Sequence, residues 1–420
     1  MNVKISKNPL SFFFKNILIM FRGTLIAQII AVIGAVYLAK IYGEEAYGFF
    51  GFFMSIISIA SILVTLQLDK CIVIANHIKE SKNWFNFILL LIPAITAFVF
   101  FILFIISSYL FEDILSKKLI FFALLGTLLF AYNLVQESFF TFKKEFSIIS
   151  NSKVFLTLAN VFLQVTLFTY FNLLGLIIGF LISQFLLFIY YFFKNKSFLA
   201  KPNFVEIKNG IKNNDTIIKF LLPSNTINSL ANHLMPILIL TFFGAKETGI
   251  YFFSLKILAT PLSLISSSIS QVFFQKSSEL LKENKNELYR LTKKIVKSNL
   301  LIMLTFLVII NTIGIYILEL VFDKNWANLR LYTLILSILI FARTSFNPIS
   351  SLIVVLNKNL ESLIFNSYLF IINLIAIYFG YLYNDITKTI FILAIFGGIG
   401  YFILLAYFLS HLKNISKNNV

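Results

Sequence analysis

Apolar stretches long enough to cross a bilayer recur twelve times in this chain, and the gaps between them alternate between lysine-rich and lysine-poor. The stretches run near 16–39, 47–67, 84–110, 119–140, 154–171, 173–193, 217–243, 248–272, 298–320, 329–356, 362–383 and 389–410. A helix needs about 20 residues to span the hydrocarbon layer, and all but the tightly joined fifth and sixth stretches reach that length. With 59% hydrophobic residues and a mean hydropathy of +0.89, a soluble globular fold is excluded. The expected fold class is an all-α polytopic membrane protein with twelve transmembrane helices.

The basic residues orient this map. The N-terminus, every second gap and the C-terminus, with Lys219 at the adjoining edge of span seven, hold 25 of the 35 Lys and Arg residues. The other gaps, with Arg330 at the adjoining edge of span ten, hold seven: Lys40, Lys117, Lys118, Lys246, Lys324, Arg330 and Lys388. Arg22, Lys256 and Arg343 remain inside spans. Basic residues stay on the cytoplasmic side, so both termini are predicted to be cytoplasmic. The net charge of +17 therefore belongs to loops facing anionic lipid, and no nucleic-acid partner is expected. A single cysteine, Cys71, excludes an internal disulfide. The histidines His77, His233 and His411 form no ligand motif, so no metal or other cofactor is expected. The first apolar run is too long for a cleavable signal peptide and lacks a small-residue cleavage site.

The chain repeats itself. A shift of 201 residues lays Gly43 on Gly244, Gly48 on Gly249, Phe50 on Tyr251 and Phe52 on Phe253, so 41–53 (IYGEEAYGFFGFF) matches 242–254 (FFGAKETGIYFFS). Both copies follow the first span of a six-span half, which predicts two parallel six-helix halves related by an axis along the membrane normal. The expected organisation is an N-terminal half at 1–200, a polar surface linker at 201–216 and a C-terminal half at 217–420. Asn284-x-x-Glu287 has capping-box spacing, with Leu288, Leu291 and Ile295 at helical intervals. It predicts an amphipathic surface helix over about 279–297.

Polar residues within spans carry the functional reading, because a charge at the centre of an inserted helix costs about 2.5–3.5 kcal/mol. Lys256 is followed on its own helical face by Thr260, Ser263, Ser267 and Ser270, the stripe expected beside an aqueous cavity. Arg343 shares a face with Asn347 and Ser350, and Pro348 should kink that helix. Span seven holds Asn225, Asn228 and Asn232 on one face, with His233 beside them and Pro223 and Pro236 bracketing the run. Such amides bond hydroxyl-rich ligands or join helices. Arg22 lies near the start of span one, where its side chain can snorkel to the interface. Asp69, Glu137 and Glu319 end spans two, four and nine, and with His233 they are the candidates for ion coupling.

Two six-helix halves with cations at mid-depth and only short external gaps describe an alternating-access transporter for an anionic substrate. No G-x-x-x-x-G-K-[ST] motif is present, so this chain is not expected to hydrolyse ATP. The run at 38–48 (LAKIYGEEAYG) resembles the segment after the first helix in the Wzx-type polysaccharide-biosynthesis flippases of the MATE-like multidrug/oligosaccharidyl-lipid/polysaccharide superfamily. Residues 66–75 (LQLDKCIVIA) are similar to that family's end of span two, and 251–279, with Lys256 and a Pro-Leu-Ser-Leu run, to its eighth helix. The resemblance implies a MATE-like fold in a bacterial cytoplasmic (inner) membrane. It implies an undecaprenyl-diphosphate-linked oligosaccharide, such as an O-antigen or capsule repeat unit, flipped from the cytoplasmic to the outer leaflet. A polysaccharide polymerase and glycosyltransferases of the same pathway are the implied partners. The resemblance also makes Arg22, with Lys256 and Arg343, a diphosphate-binding cation. The repeat places Ser55 where the second half has Lys256, so the expected cage is lopsided. A MATE-type exporter of small molecules and a membrane enzyme of lipid-linked glycan assembly stay open as alternatives. The exporter wants buried carboxylates, and the enzyme wants a large external loop or a carboxylate cluster.

Overall fold

A computed structural model describes residues 9–110, 114–213, 217–322 and 326–417. The first lysines of the charge map, Lys324 and the last residues of the expected linker lie outside these. Among the described residues ten helical stretches are long and apolar enough to cross a membrane. Two of them are long enough for two crossings each, Arg22–Thr65 with 44 residues and Phe146–Phe198 with 53. Gly43 kinks the first with φ 76°, and a 3₁₀ turn at Asn172–Leu174 breaks the second. Among the described residues these ten stretches thus have the length for the twelve crossings that the hydropathy predicts. Bulky apolar side chains such as Ile33, Phe162 and Leu301, each 67% exposed, cover the outward faces. That surface suits hydrocarbon and would be penalised in water.

The chain divides into two compact units. The first takes residues up to 38 and 56–223. It holds the N-terminal part of α1 (Pro9–Thr65), α2 (Asp69–Ile74), α3 (Ile78–Leu110), α4 (Ile114–Phe142), α5 (Phe146–Phe171), α6 (Gly175–Asn195) and α7 (Phe204–Asn213). Val64, Ile72, Trp84, Ile88, Val135 and Phe139 form its core near the linker-bearing end. Amides join its helices: Asn133 Nδ2 donates to the Gln184 carbonyl at 3.0 Å, and Gln164 Nε2 to the Leu176 carbonyl at 2.8 Å. The linker corrects the expectation of a surface loop, for α7 occupies most of it. Ile207 is buried against the core, and the Lys79–Glu206 pair at 3.1 Å holds the polar side. Apolar residues four apart, Ile207 and Ile211, give this polar segment one face worth burying.

The second unit takes residues 39–55 and 224–420. It contains α8 (Leu222–Phe243), α9 (Ala245–Glu283), α10 (Lys285–Ile309), α11 (Ile315–Phe322), α12 (Leu329–Phe346), α13 (Leu352–Val355), α14 (Asn359–Leu382) and α15 (Ile386–Lys417). Leu280, Leu288, Phe346, Ile349, Leu352 and Phe408 centre one core. Asn284 caps α10 as its spacing predicts, Oδ1 accepting from the Glu287 amide at 3.0 Å. The helix it starts is not a separate surface element, however. It runs on unbroken to Ile309, because Leu288 and Val296 are buried and no Gly or Pro interrupts it. Pro348 does break its helix: α12 stops at Phe346 and a 3₁₀ turn, Asn347–Ile349, follows.

Candidate functional site

The repeated glycines organise the second unit. Gly43 and Gly244 occupy the same left-handed, extended conformation, with φ/ψ of 76°/176° and 88°/177°. Each starts the helix of its repeat in a backbone region that disfavours any residue with a Cβ. Five residues further on, Gly48 presses on the Ala245 carbonyl, and Gly249 presses on the Glu44 carbonyl. Positions 44 and 245 are repeat equivalents, as are 48 and 249, so the two contacts are related by a local two-fold. Gly51 meets its own equivalent, Phe252, whose Cγ lies 2.8 Å from where a Gly51 Cβ would stand. Residues 44–55 and the start of α9 therefore cross at backbone contact, which only glycine permits. That contact explains why 39–55 belong to the second unit.

Side chains lock the crossing. Glu44 takes the Lys246 ammonium at 3.3 Å on one oxygen and the Trp326 backbone amide at 3.2 Å on the other. Tyr47, Phe253 and Trp326 form an aromatic triad with centroids 4.7–5.7 Å apart, within the range of favourable edge and offset packing. The Tyr332 hydroxyl donates to Glu247. None of these partners stood out in the sequence alone. The 201-residue repeat pointed to the segments that carry Glu44, Tyr47, Lys246, Glu247 and Phe253, and gave no signal for Trp326 or Tyr332.

Lys256 lies one turn beyond Phe252. Its Nζ sits 5.8 Å from the Tyr47 ring centroid and 5.9 Å from that of Phe50. Among the described residues no carboxylate comes within ion-pair distance of it. Ring faces attract an ammonium by about 0.5–2 kcal/mol without neutralising it, so a cation held this way stays free to meet an anion. Arg343 likewise has no carboxylate partner among the described residues. It lies on α12, three residues before the helix ends at Phe346.

Of the predicted polar lining, Ser263, Ser267 and Asn228 are exposed, while Thr260, Asn225, Asn232 and Asn347 are half-buried. Asn232 Nδ2 donates to the Asn228 carbonyl at 2.8 Å and also to its side-chain oxygen. Asn373 ties α14 to α8 through the Ala231 carbonyl at 2.7 Å. Arg22 falls in the other unit and is exposed. So do two of the coupling candidates. Asp69 is fully buried with Lys70 at 3.0 Å, yet neither of its oxygens accepts a well-directed hydrogen bond. Glu137 is half-exposed, with Lys153 at 3.9 Å. Glu319 is engaged by Arg330 at 2.9 Å and 3.0 Å.

Residues 37–330 match the family model described as "Polysaccharide biosynthesis protein". The lipid II flippase MurJ in an inward closed conformation superposes with a TM-score of 0.77 at 15% identity, covering 95% of this chain and 90% of that one. An inward-facing multidrug resistance MATE family transporter of the MOP superfamily gives 0.73 at 13% identity, covering 94% and 96%. A MOP superfamily transporter from Pyrococcus furiosus, described as having a binding pocket of reversed polarity, gives 0.58 at 15% identity with 96% of each chain covered. No curated protein sequence matches.

Proposed function

Because the chain belongs to the polysaccharide biosynthesis protein family and has the twelve-helix fold of MOP-superfamily transporters, we propose that it flips an undecaprenyl-diphosphate-linked oligosaccharide between leaflets. The substrate is an O-antigen, capsule or related repeat unit, carried from the cytoplasmic to the outer leaflet of a bacterial inner membrane. Both termini would then be cytoplasmic, and the polymerase and glycosyltransferases of the same pathway would supply and consume the cargo. The observation that carries this reading is the pair Lys256 and Arg343, membrane-level cations with no carboxylate partner among the described residues. A diphosphate brings about two negative charges that such cations bind strongly. The amides of α8 and hydroxyls of α9 offer hydrogen bonds to sugar.

Alternating access would work by opening and closing the glycine crossing, a discrete contact fixed by Glu44, Lys246 and Trp326. Asp69 is the favoured coupling group, since it is fully buried with Lys70 as its ion-pair partner and neither of its oxygens accepts a hydrogen bond. Glu137 and His233, both solvent-accessible, rank behind it. The test is made in the native host, with Lys256 and Arg343 replaced singly by Gln and membrane insertion confirmed. Loss of surface polymer with lipid-linked precursor accumulating at the cytoplasmic leaflet supports the reading; normal surface polymer in both variants removes it.

A further inference from the structure

The first unit holds a cavity of about 490 Å³ at the end where the linker leaves, within the roughly 300–1,000 Å³ of small-molecule sites. Its walls are apolar: Phe85, Leu89 and Leu90 from α3, Tyr132 from α4, Phe188 and Phe192 from α6. Two amides line it with unused capacity. Asn195 is 1% exposed and its oxygen faces the Lys143 ammonium at 3.4 Å, so its Nδ2 is the free end, and it has no partner. Gln136 is 2% exposed, and its Nε2 has no partner either. More than about nine in ten buried polar groups are bonded; these two donors are not, and both belong to residues that line the cavity.

The mouth is built rather than incidental. Residues 199–202 cross it as a strap, pinned by Asn86, whose Oδ1 accepts from the Ala200 amide at 2.9 Å and whose Nδ2 donates to the Phe198 carbonyl at 3.1 Å. Asn83 repeats the arrangement at Asn203, accepting from its amide at 2.6 Å and donating to its carbonyl at 3.2 Å. The strap carries Lys201 to the rim, and Lys194 and Lys196 precede it. An apolar slot with amides along it and Lys201 at its mouth matches an amphiphile with an acidic head.

We propose that this cavity seats one acyl chain of an anionic membrane phospholipid, its oxygens on Gln136 and Asn195 and its phosphate at Lys201. The site lies wholly in the first unit and is independent of the transport reading.

The test uses the purified full chain, stripped of lipid in detergent and titrated with dioleoylphosphatidylglycerol or dioleoylphosphatidylcholine, with bound lipid counted by native mass spectrometry. Leu90 is 63% exposed, so Leu90→Trp fills the slot without burdening the core, and matched thermal unfolding confirms its fold. The expected result is one phosphatidylglycerol held per chain, about tenfold more weakly in Leu90→Trp, with Lys201→Gln levelling the preference over phosphatidylcholine. Equal retention by wild type and Leu90→Trp overturns the proposal. So does stronger retention of polyprenyl phosphate than of phosphatidylglycerol, or competition by inorganic phosphate alone.

Discussion

At the scale of single residues, Lys256 is the charge on which most depends. Its ammonium rests on the rings of Tyr47 and Phe50, so Lys256→Arg keeps a cation there while Lys256→Gln removes it. Export of surface polymer should fall at least about tenfold in the Gln variant, the factor that about 1.4 kcal/mol represents, and recover in part with Arg; quantifying the polymer on intact cells checks this. Cys71 provides a separate probe. It is buried beside Trp84 and Ile72, and burial first, then the neighbouring Asp69 carboxylate, pushes its thiol up to about 12. At pH 7 it is protonated, and the thiolate is the reactive form. Maleimide should therefore leave Cys71 unlabelled in native membranes and label it fully after denaturation. Rapid labelling of native protein would place Cys71 at a solvent-open surface.

At the scale of elements, the crossing of residues 44–55 with the start of α9 has a consequence that neither repeat shows alone. Gly48→Val and Gly249→Val each force a side chain into the facing carbonyl, so each should destabilise the protein by about 1–3 kcal/mol. Because both act on one crossing, through neighbouring contacts, the double variant should cost less than their sum; unfolding in detergent measures it. The cap on α10 is a local counterpart. Asn284→Ala should cost about 1 kcal/mol and leave polymer export unchanged. The cap and the break at Pro348 were legible in sequence because a side-chain hydrogen bond three residues away and a missing amide act locally. The fate of residues 279–297 was not, since an amphipathic pattern does not say whether its helix stops at the membrane surface. Nor was the helix in the linker, whose few apolar residues are buried only because Trp84 and its neighbours stand opposite.

At the scale of the whole molecule, twelve crossings follow from apolar run lengths, and lysine alternation adds a predicted orientation. These are collective properties of about 20-residue windows and tolerate error at any one position. Candidate site residues are harder to place, because their partners are remote in sequence. Lys256 was conspicuous as a buried charge, but its aromatic seat lies some 200 residues away and only the Gly48/Gly249 repeat hinted at it. Arg22 was singled out beside Lys256 and Arg343, yet it folds into a different compact unit. The central claim, that the molecule flips a diphosphate-linked oligosaccharide, is tested most directly in proteoliposomes. A polyprenyl-diphosphate-linked oligosaccharide would be confined to the inner leaflet and its appearance outside followed with an impermeant glycosidase. The account predicts protein-dependent exposure that Lys256→Gln and Arg343→Gln each reduce at least about tenfold. Exposure no faster than in protein-free liposomes, or unchanged in both variants, would contradict it.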